Sequence, residues 1–234
     1  VTLLLLIRHA LTEATGKRLS GQAPGLHLTD EGRRQASDVA ERLRPLSIAA
    51  VYSSPLERCM ETAEPIAAAR GLPVRAVPDL QEVGYGRWTG RPLAVLARTA
   101  LWKRIQQQPS SIRFPDGETL TEVQRRSAEA LDGLAAKHPK RTIAVVSHAD
   151  VIRLVVAHYA GIHVDLFQRI IVSPASVSAI LLGDRVPRIV RLNDTGGMAD
   201  LAARASPRPP SPDGARGGVS SNKGPTSSRR PPRA

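Results

Sequence analysis

The hydrophobic positions fall into two kinds of pattern. Thr2–Arg8 (TLLLLIR), Ile48–Tyr52 and Thr142–Ser147 (TIAVVS) are short continuous apolar runs, which read as strands buried on both faces. A third strand is predicted at Val74–Val77, and closing strands at Val177–Leu182 and Arg188–Leu192. Between them apolar residues recur at helical spacing. Ala36, Val39, Ala40 and Leu43 mark a helix from about Asp30 to Arg44, with Thr29 as N-cap and Pro45 at its end. Ser54-Pro55-Leu56-Glu57 reads as a capping box opening the next helix, which puts Arg58 in its first turn, and Pro65 should kink or restart it. The segment 91–108 reads as helix and 109–117 as loop. Thr119-Leu120-Thr121-Glu122 is a second capping box for a helix to about Lys137, and Asp150 is the expected cap of a helix ending at Tyr159. Strands alternate with helices, so the predicted class is α/β, a three-layer sandwich with a mainly parallel central sheet flanked by helices.

From about Ala199 the periodicity vanishes and Pro, Gly, Ser and Arg dominate. This organises the chain as one domain, 1–198, followed by a disordered basic tail, 199–234. The chain of 234 residues is 41% hydrophobic but only 3% aromatic, so Leu, Val, Ile and Ala must build the core. Its formal charge of +12 favours anionic partners. Half of that excess lies in residues 203–234, where seven basic residues face Asp213 alone, which leaves a mildly basic domain suited to a small phosphorylated metabolite. The tail has no aromatic residue for base stacking, so nucleic acid is a disfavoured partner. No apolar stretch approaches the ~18 residues of a membrane span, and Thr2–Ile7 is short for a secretory signal and has no basic segment before it. With a single cysteine, Cys59, read as a packed thiol, the expected setting is the cytoplasm. Val1 in place of Met suits a GTG start in a bacterial gene. The oligomeric state, monomer or dimer, has no signature.

The chemistry sits where the apolar runs stop. Arg8-His9 follows the first strand, Arg58 follows the second, and Ser147-His148-Ala149 ends a third. Open α/β sheets place their ligand crevices at such strand ends. Glu82 lies in a Gly-rich loop, Glu82-Val83-Gly84-Tyr85-Gly86. Two histidines, two arginines and a glutamate are the parts for moving a phosphoryl group through a phosphohistidine. A neutral imidazole attacks phosphorus, guanidinium groups grip its oxygens, and a carboxylic acid protonates the leaving oxygen. For Glu82 to act as that acid, burial must outweigh the surrounding cations, a balance that sequence leaves open. No metal is called for, since the histidines lack paired carboxylates at ligand spacing. His158 reads as a partly buried helix histidine, His138 as a helix end, and His27 as a candidate for the pocket wall.

These motifs, in this order over about residues 3–192, resemble the histidine phosphatase superfamily, which includes cofactor-dependent phosphoglycerate mutase. Within it the chain resembles actinobacterial proteins labelled as probable phosphomutases. The resemblance rests on Arg8-His9-Ala10-Leu11-Thr12-Glu13-Ala14-Thr15, Ser20-Gly21, Leu28 to Ala36, the complete Ser53–Ala63 element, Glu82–Gly86, Phe114–Thr119 and Ser147-His148-Ala149. It implies that His9 is the phosphorylated nucleophile and Glu82 the proton donor. Arg8, Arg58 and His148 would bind the phosphoryl group, with Thr15, Ser20, Gly21, Tyr85 and Ala149 as further phosphate or substrate contacts. Ala10 and Thr15 depart from the family's Gly and Asn. Ala10 would be strained if that position needs a positive φ, and Thr15 offers one hydroxyl where an amide could span two groups.

The function expected is hydrolysis of a small phosphomonoester through phosphohistidine, with no cofactor. Phosphomutase is the alternative, and a bisphosphorylated activator would be needed only in that case. No adjacent arginine pair occurs between Glu82 and Gly117 to grip a phosphoglycerate carboxylate, which favours the phosphatase. The outside alternative is an inactive scaffold whose basic tail binds anions.

Overall fold

The computed structural model describes residues 1–183 and 186–196, so the expected tail, 199–234, lies outside the described residues. Six strands form one sheet in the order β3-β2-β4-β1-β5-β6. They are β1 (Thr2–Arg8), β2 (Ile48–Ser53), β3 (Val74–Ala76), β4 (Thr142–Ser147), β5 (Val177–Leu182) and β6 (Arg188–Asp194). The first four of that order run parallel, and β5 and β6 add antiparallel at one edge. The sheet is thus mixed, with its parallel part carrying the motif-bearing strands.

Period-2 alternation divides the apolar runs between the faces of the sheet. Leu4, Leu6, Ile143, Val145 and Ile180 join one buried cluster with Leu131 and Ile152, from helices α5 (Leu120–Lys137) and α6 (Ala149–Tyr159). Leu5, Ile7, Val51, Ala144 and Val146 join the other with Val39 and Ile66, from α1 (Asp30–Arg42) and α2 (Glu57–Ala68). β1 and β4 are buried from both sides, as their unbroken apolar sequences require.

Local signals account for several helix starts. Thr29 Oγ1 accepts from Gly32 N at 3.0 Å to start α1, and the Thr119–Glu122 capping box is complete. Three expectations need correction. The Ser54–Glu57 box does not form, because Ser54 Oγ is engaged by His148; α2 starts at Glu57 without a side-chain cap. Pro65 does not restart α2, which runs through it while Ala63, Ile66 and Ala67 stay buried; packing outweighs the one main-chain bond that Pro cannot donate. The segment 91–108 is two helices, α3 (Leu93–Leu96) and α4 (Ala100–Gln107), because Thr99 caps α4 by accepting from Trp102 N at 3.2 Å.

Candidate active site

The parallel strands deliver their C-terminal residues to one place. Beyond β1 and β4 the ladder continues for one residue, with His9 N donating to Ser147 O at 2.9 Å. His9 is buried, and its Nδ1 lies 2.8 Å from the carbonyl oxygen of Ala10. A carbonyl can only accept, so Nδ1 carries the proton and Nε2 keeps its lone pair. Burial, then Arg58 and Arg8, lower the His9 pKa to about 3, which keeps the ring neutral at physiological pH. Ala10 is fully buried among apolar residues and donates its N–H to Thr62 Oγ1 at 3.0 Å. Its φ is not positive, so the expected strain does not arise.

Two guanidinium groups flank this imidazole. Arg8 Nη1 donates to Val172 O at 2.7 Å, and Arg58, in the first turn of α2, donates from Nη2 to Gly21 O at 2.7 Å. Each keeps a buried Nε with no protein partner. His148 precedes α6 and is completely buried, its ring 5.3 Å from that of His9 in an edge-to-face arrangement. Arg58 Nη2 stands 3.3 Å from His148 Nδ1, and Ser54 Oγ lies 2.8 Å from Nε2. An arginine only donates, so His148 Nδ1 accepts and Nε2–H points to Ser54. Burial and the neighbouring Arg58 hold the His148 pKa well below the usual value. Cys59 packs its sulfur 3.4 Å from His148 Nε2, and burial pushes its thiol pKa up, so it is an inert packing residue.

Glu82 resolves the balance that sequence leaves open. Burial first, and then the charge of Asp150, raise its pKa to about 7 against the Val83 N–H bond, Arg58 and Arg8. Its loop is held from behind by residues that sequence reading did not single out. Arg126, on α5, donates to the carbonyl oxygens of Asp79, Gln81 and Glu82 and to both oxygens of Glu118. Glu118 Oε2 in turn accepts from Gly84 N at 2.7 Å. Asp150 does not cap α6. Its Oδ2 accepts from Tyr85 Oη at 2.6 Å, and its Oδ1 accepts from Arg153 Nη1 at 2.8 Å. The i,i+3 spacing of Asp150 and Arg153 was a readable signal for that pair. The Arg126 contacts left none, since three of their targets are main-chain oxygens and Glu118 lies eight residues away.

These groups open onto one cavity of about 420 Å³, lined by Arg8, His9, Arg58 and Glu82. Thr15, Ser20, Gly21, Tyr85 and Ala149 also line it, so all the expected contacts converge there except His148, which lies behind the wall. Thr15 Oγ1 accepts from Thr12 N at 3.1 Å and thereby closes its own turn. Arg18, Asp150 and Arg153 bring the wall to four arginines against two carboxylates, a field suited to a phosphate dianion. The first turns of α2 and α6 add their positive dipole ends. Leu93, Trp102 and Gln106 with Gln168 form the part of the wall that comes from elements outside the sheet. His27 is not part of this cavity; it pairs with Glu61 on the surface. His158 is exposed rather than partly buried, and His138 receives or donates a 2.8 Å bond with Tyr52 Oη. Among the described residues no cluster of His, Cys, Asp and Glu could hold a metal ion, and no helix is long and apolar enough to cross a membrane.

The comparisons with known proteins agree with this geometry. The chain is 29% identical over 207 residues to phosphoserine phosphatase 1 of Hydrogenobacter thermophilus, covering 86% of this chain and 97% of the relative. It is 31% identical over 178 residues to a probable phosphoglycerate mutase of Erwinia tasmaniensis, covering 75% and 82%. Among solved structures, YhfR of Bacillus stearothermophilus superposes with a TM-score of 0.78 at 26% identity, covering 83% of this chain and 98% of that one. The pattern of the histidine phosphatase superfamily (branch 1) matches residues 4–195, from the first strand to the end of the last. With His9, Arg8, Arg58 and Glu82 all inside that span, the chain belongs to the histidine phosphatase superfamily.

Proposed function

We propose that this protein is a cytoplasmic phosphatase that hydrolyses a small phosphomonoester through a phosphohistidine on His9, without a cofactor. The observation that carries the reading is a neutral His9, its Nδ1–H held by Ala10 O, sharing one cavity with Arg8, Arg58 and a Glu82 whose pKa is about 7. Arg8 and Arg58 bind the phosphoryl oxygens through donors that include their free Nε groups. The Nε2 lone pair forms the N–P bond as the ester P–O bond breaks, and Glu82 passes its proton to the departing alkoxide. The positive charge left on the ring is stabilised by the Ala10 carbonyl and by the bound phosphoryl oxygens. In the second step water attacks phosphorus, Glu82 carboxylate takes its proton, the N–P bond breaks, and inorganic phosphate leaves. Thr15, Ser20, Gly21, Tyr85 and Ala149 frame the substrate, and His148 holds Arg58 in place.

Hydrolysis is favoured over phosphoryl return to a second hydroxyl because no adjacent arginine pair occurs between Glu82 and Gly117, and that segment gives the cavity Leu93, Trp102 and Gln106. The test is phosphate release from a panel of phosphomonoesters that includes phosphoserine, phosphoglycerates and sugar phosphates. Release that His9→Ala abolishes is expected. Isomerisation of a panel member without release would replace phosphatase by mutase.

A further inference from the structure

Asp150 has no part in the two steps above, yet it is the second carboxylate on the cavity wall. It stands two residues after His148, in the first turn of α6. Both of its oxygens are committed, Oδ2 to the Tyr85 hydroxyl at 2.6 Å and Oδ1 to Arg153 at 2.8 Å. Tyr85 is 3% exposed and packs edge-to-face on Phe114 at 4.8 Å, so the hydroxyl that fixes Asp150 is itself immobile. Tyr85 also follows Glu82 in the loop that Arg126 and Glu118 clamp. The carboxylate is therefore held in a fixed position on the wall it shares with Glu82. An aspartate held so rigidly has a definite electrostatic effect on a second, buried carboxyl group, because two carboxylates in one low-dielectric site resist both being charged.

We propose that Asp150 is a positioning residue for the proton donor: held between Tyr85 and Arg153, its carboxylate keeps Glu82 in the acid form until the leaving oxygen takes the proton. The proposal rests on the reading of Glu82 as the acid. The other charges around Glu82 oppose it. Arg8 from β1 and Arg58 from α2 favour the carboxylate, as does the Val83 N–H bond, and only burial and Asp150 favour the acid. Arg126 from α5 grips the Glu82 carbonyl, the neutral His9 shares the cavity wall, and Cys59 and Tyr85 face Glu82 as un-ionised groups. Without Asp150, burial alone would oppose the pull of the two arginines on the Glu82 proton. Arg153 moderates the effect by partly neutralising Asp150, which gives the arrangement two handles of opposite sign.

The experiment is a carbon-NMR titration of the Glu82 carboxyl in the full chain, assigned by difference with Glu82→Gln, together with the pH profile of kcat on an alkyl phosphate. In Asp150→Asn the Glu82 midpoint falls by about one pH unit, and the alkaline limb of kcat moves down with it. In Arg153→Met the midpoint rises, because the Asp150 charge is uncovered. A purely structural role would leave both midpoints in place or move both the same way, and either result overturns the proposal. The reading beneath it fails separately: undiminished alkyl phosphatase activity in Glu82→Gln removes Glu82 as the acid whatever the titrations show.

Discussion

The two ends of the cavity are built by different means. The chemical end hangs from the strand termini of a sheet buried on both faces, and main-chain bonds such as His9 N to Ser147 O set its geometry. The far end is walled by Leu93, Trp102, Gln106 and Gln168, which come from two short helices and a 3-10 turn outside the sheet. The first is a fixed device for phosphoryl transfer, and the second is a surface that can be remodelled without disturbing it. Reaction type should follow the sheet end, and substrate choice the helical end.

Variants at one end should leave the other intact. Glu82→Gln removes the acid, so turnover of alkyl phosphates falls by ~10³-fold, while p-nitrophenyl phosphate, whose leaving group needs little protonation, falls far less. A smaller gap between the two esters would mean that Glu82 is not the donor. The same change should stabilise the fold. The folded pKa of Glu82, about 7, is raised above the unfolded value near 4.5, so native stability is fully present below pH ~4.5 and declines as pH rises to ~7. Urea melts at pH 8 should show Glu82→Gln ahead by about 1–3 kcal/mol, with the advantage vanishing by pH ~4.5. Next in size is Arg126→Met, which unfastens the acid loop at a distance from the reacting atoms. Its expected cost is ~10–100-fold in kcat on alkyl esters, again with p-nitrophenyl phosphate spared. Trp102→Ala tests the opposite end. It should raise KM by ~10-fold for the preferred ester or change the preference, with kcat on p-nitrophenyl phosphate held within about threefold. A collapse of kcat would show that the two ends are not separable. The smallest effect belongs to Cys59→Ala, which should stay within about twofold in kcat at pH 6–8, because a buried thiol packed on His148 carries no charge there.

The same division governs what was legible in the sequence. β1, β4 and β5 were read with the bounds they have, because a strand buried on both faces must be continuously apolar. Thr29 and the Thr119–Glu122 box were read because their partners lie within three residues. Ser54 looked like an equally good cap, but His148 claims its hydroxyl from 94 positions away, a partner no local pattern shows. His9, Arg8 and His148 could be named because they mark strand ends, Arg58 because it opens the helix after β2, and Glu82 because it sits in a Gly-rich loop. The direction of the Glu82 shift could not, since it depends on burial set against Arg8, Arg58 and Asp150 in three dimensions. Arg126 stayed hidden because it grips main-chain oxygens, which every residue has.

The central claim is that His9 Nε2 takes the phosphoryl group, and rapid-quench trapping with a ³²P-labelled phosphomonoester tests it most directly. The account predicts an acid-labile, alkali-stable label that forms faster than turnover, maps to His9 through Nε2, and is absent in His9→Ala. Label on another residue, or steady phosphate release by His9→Ala, would contradict it.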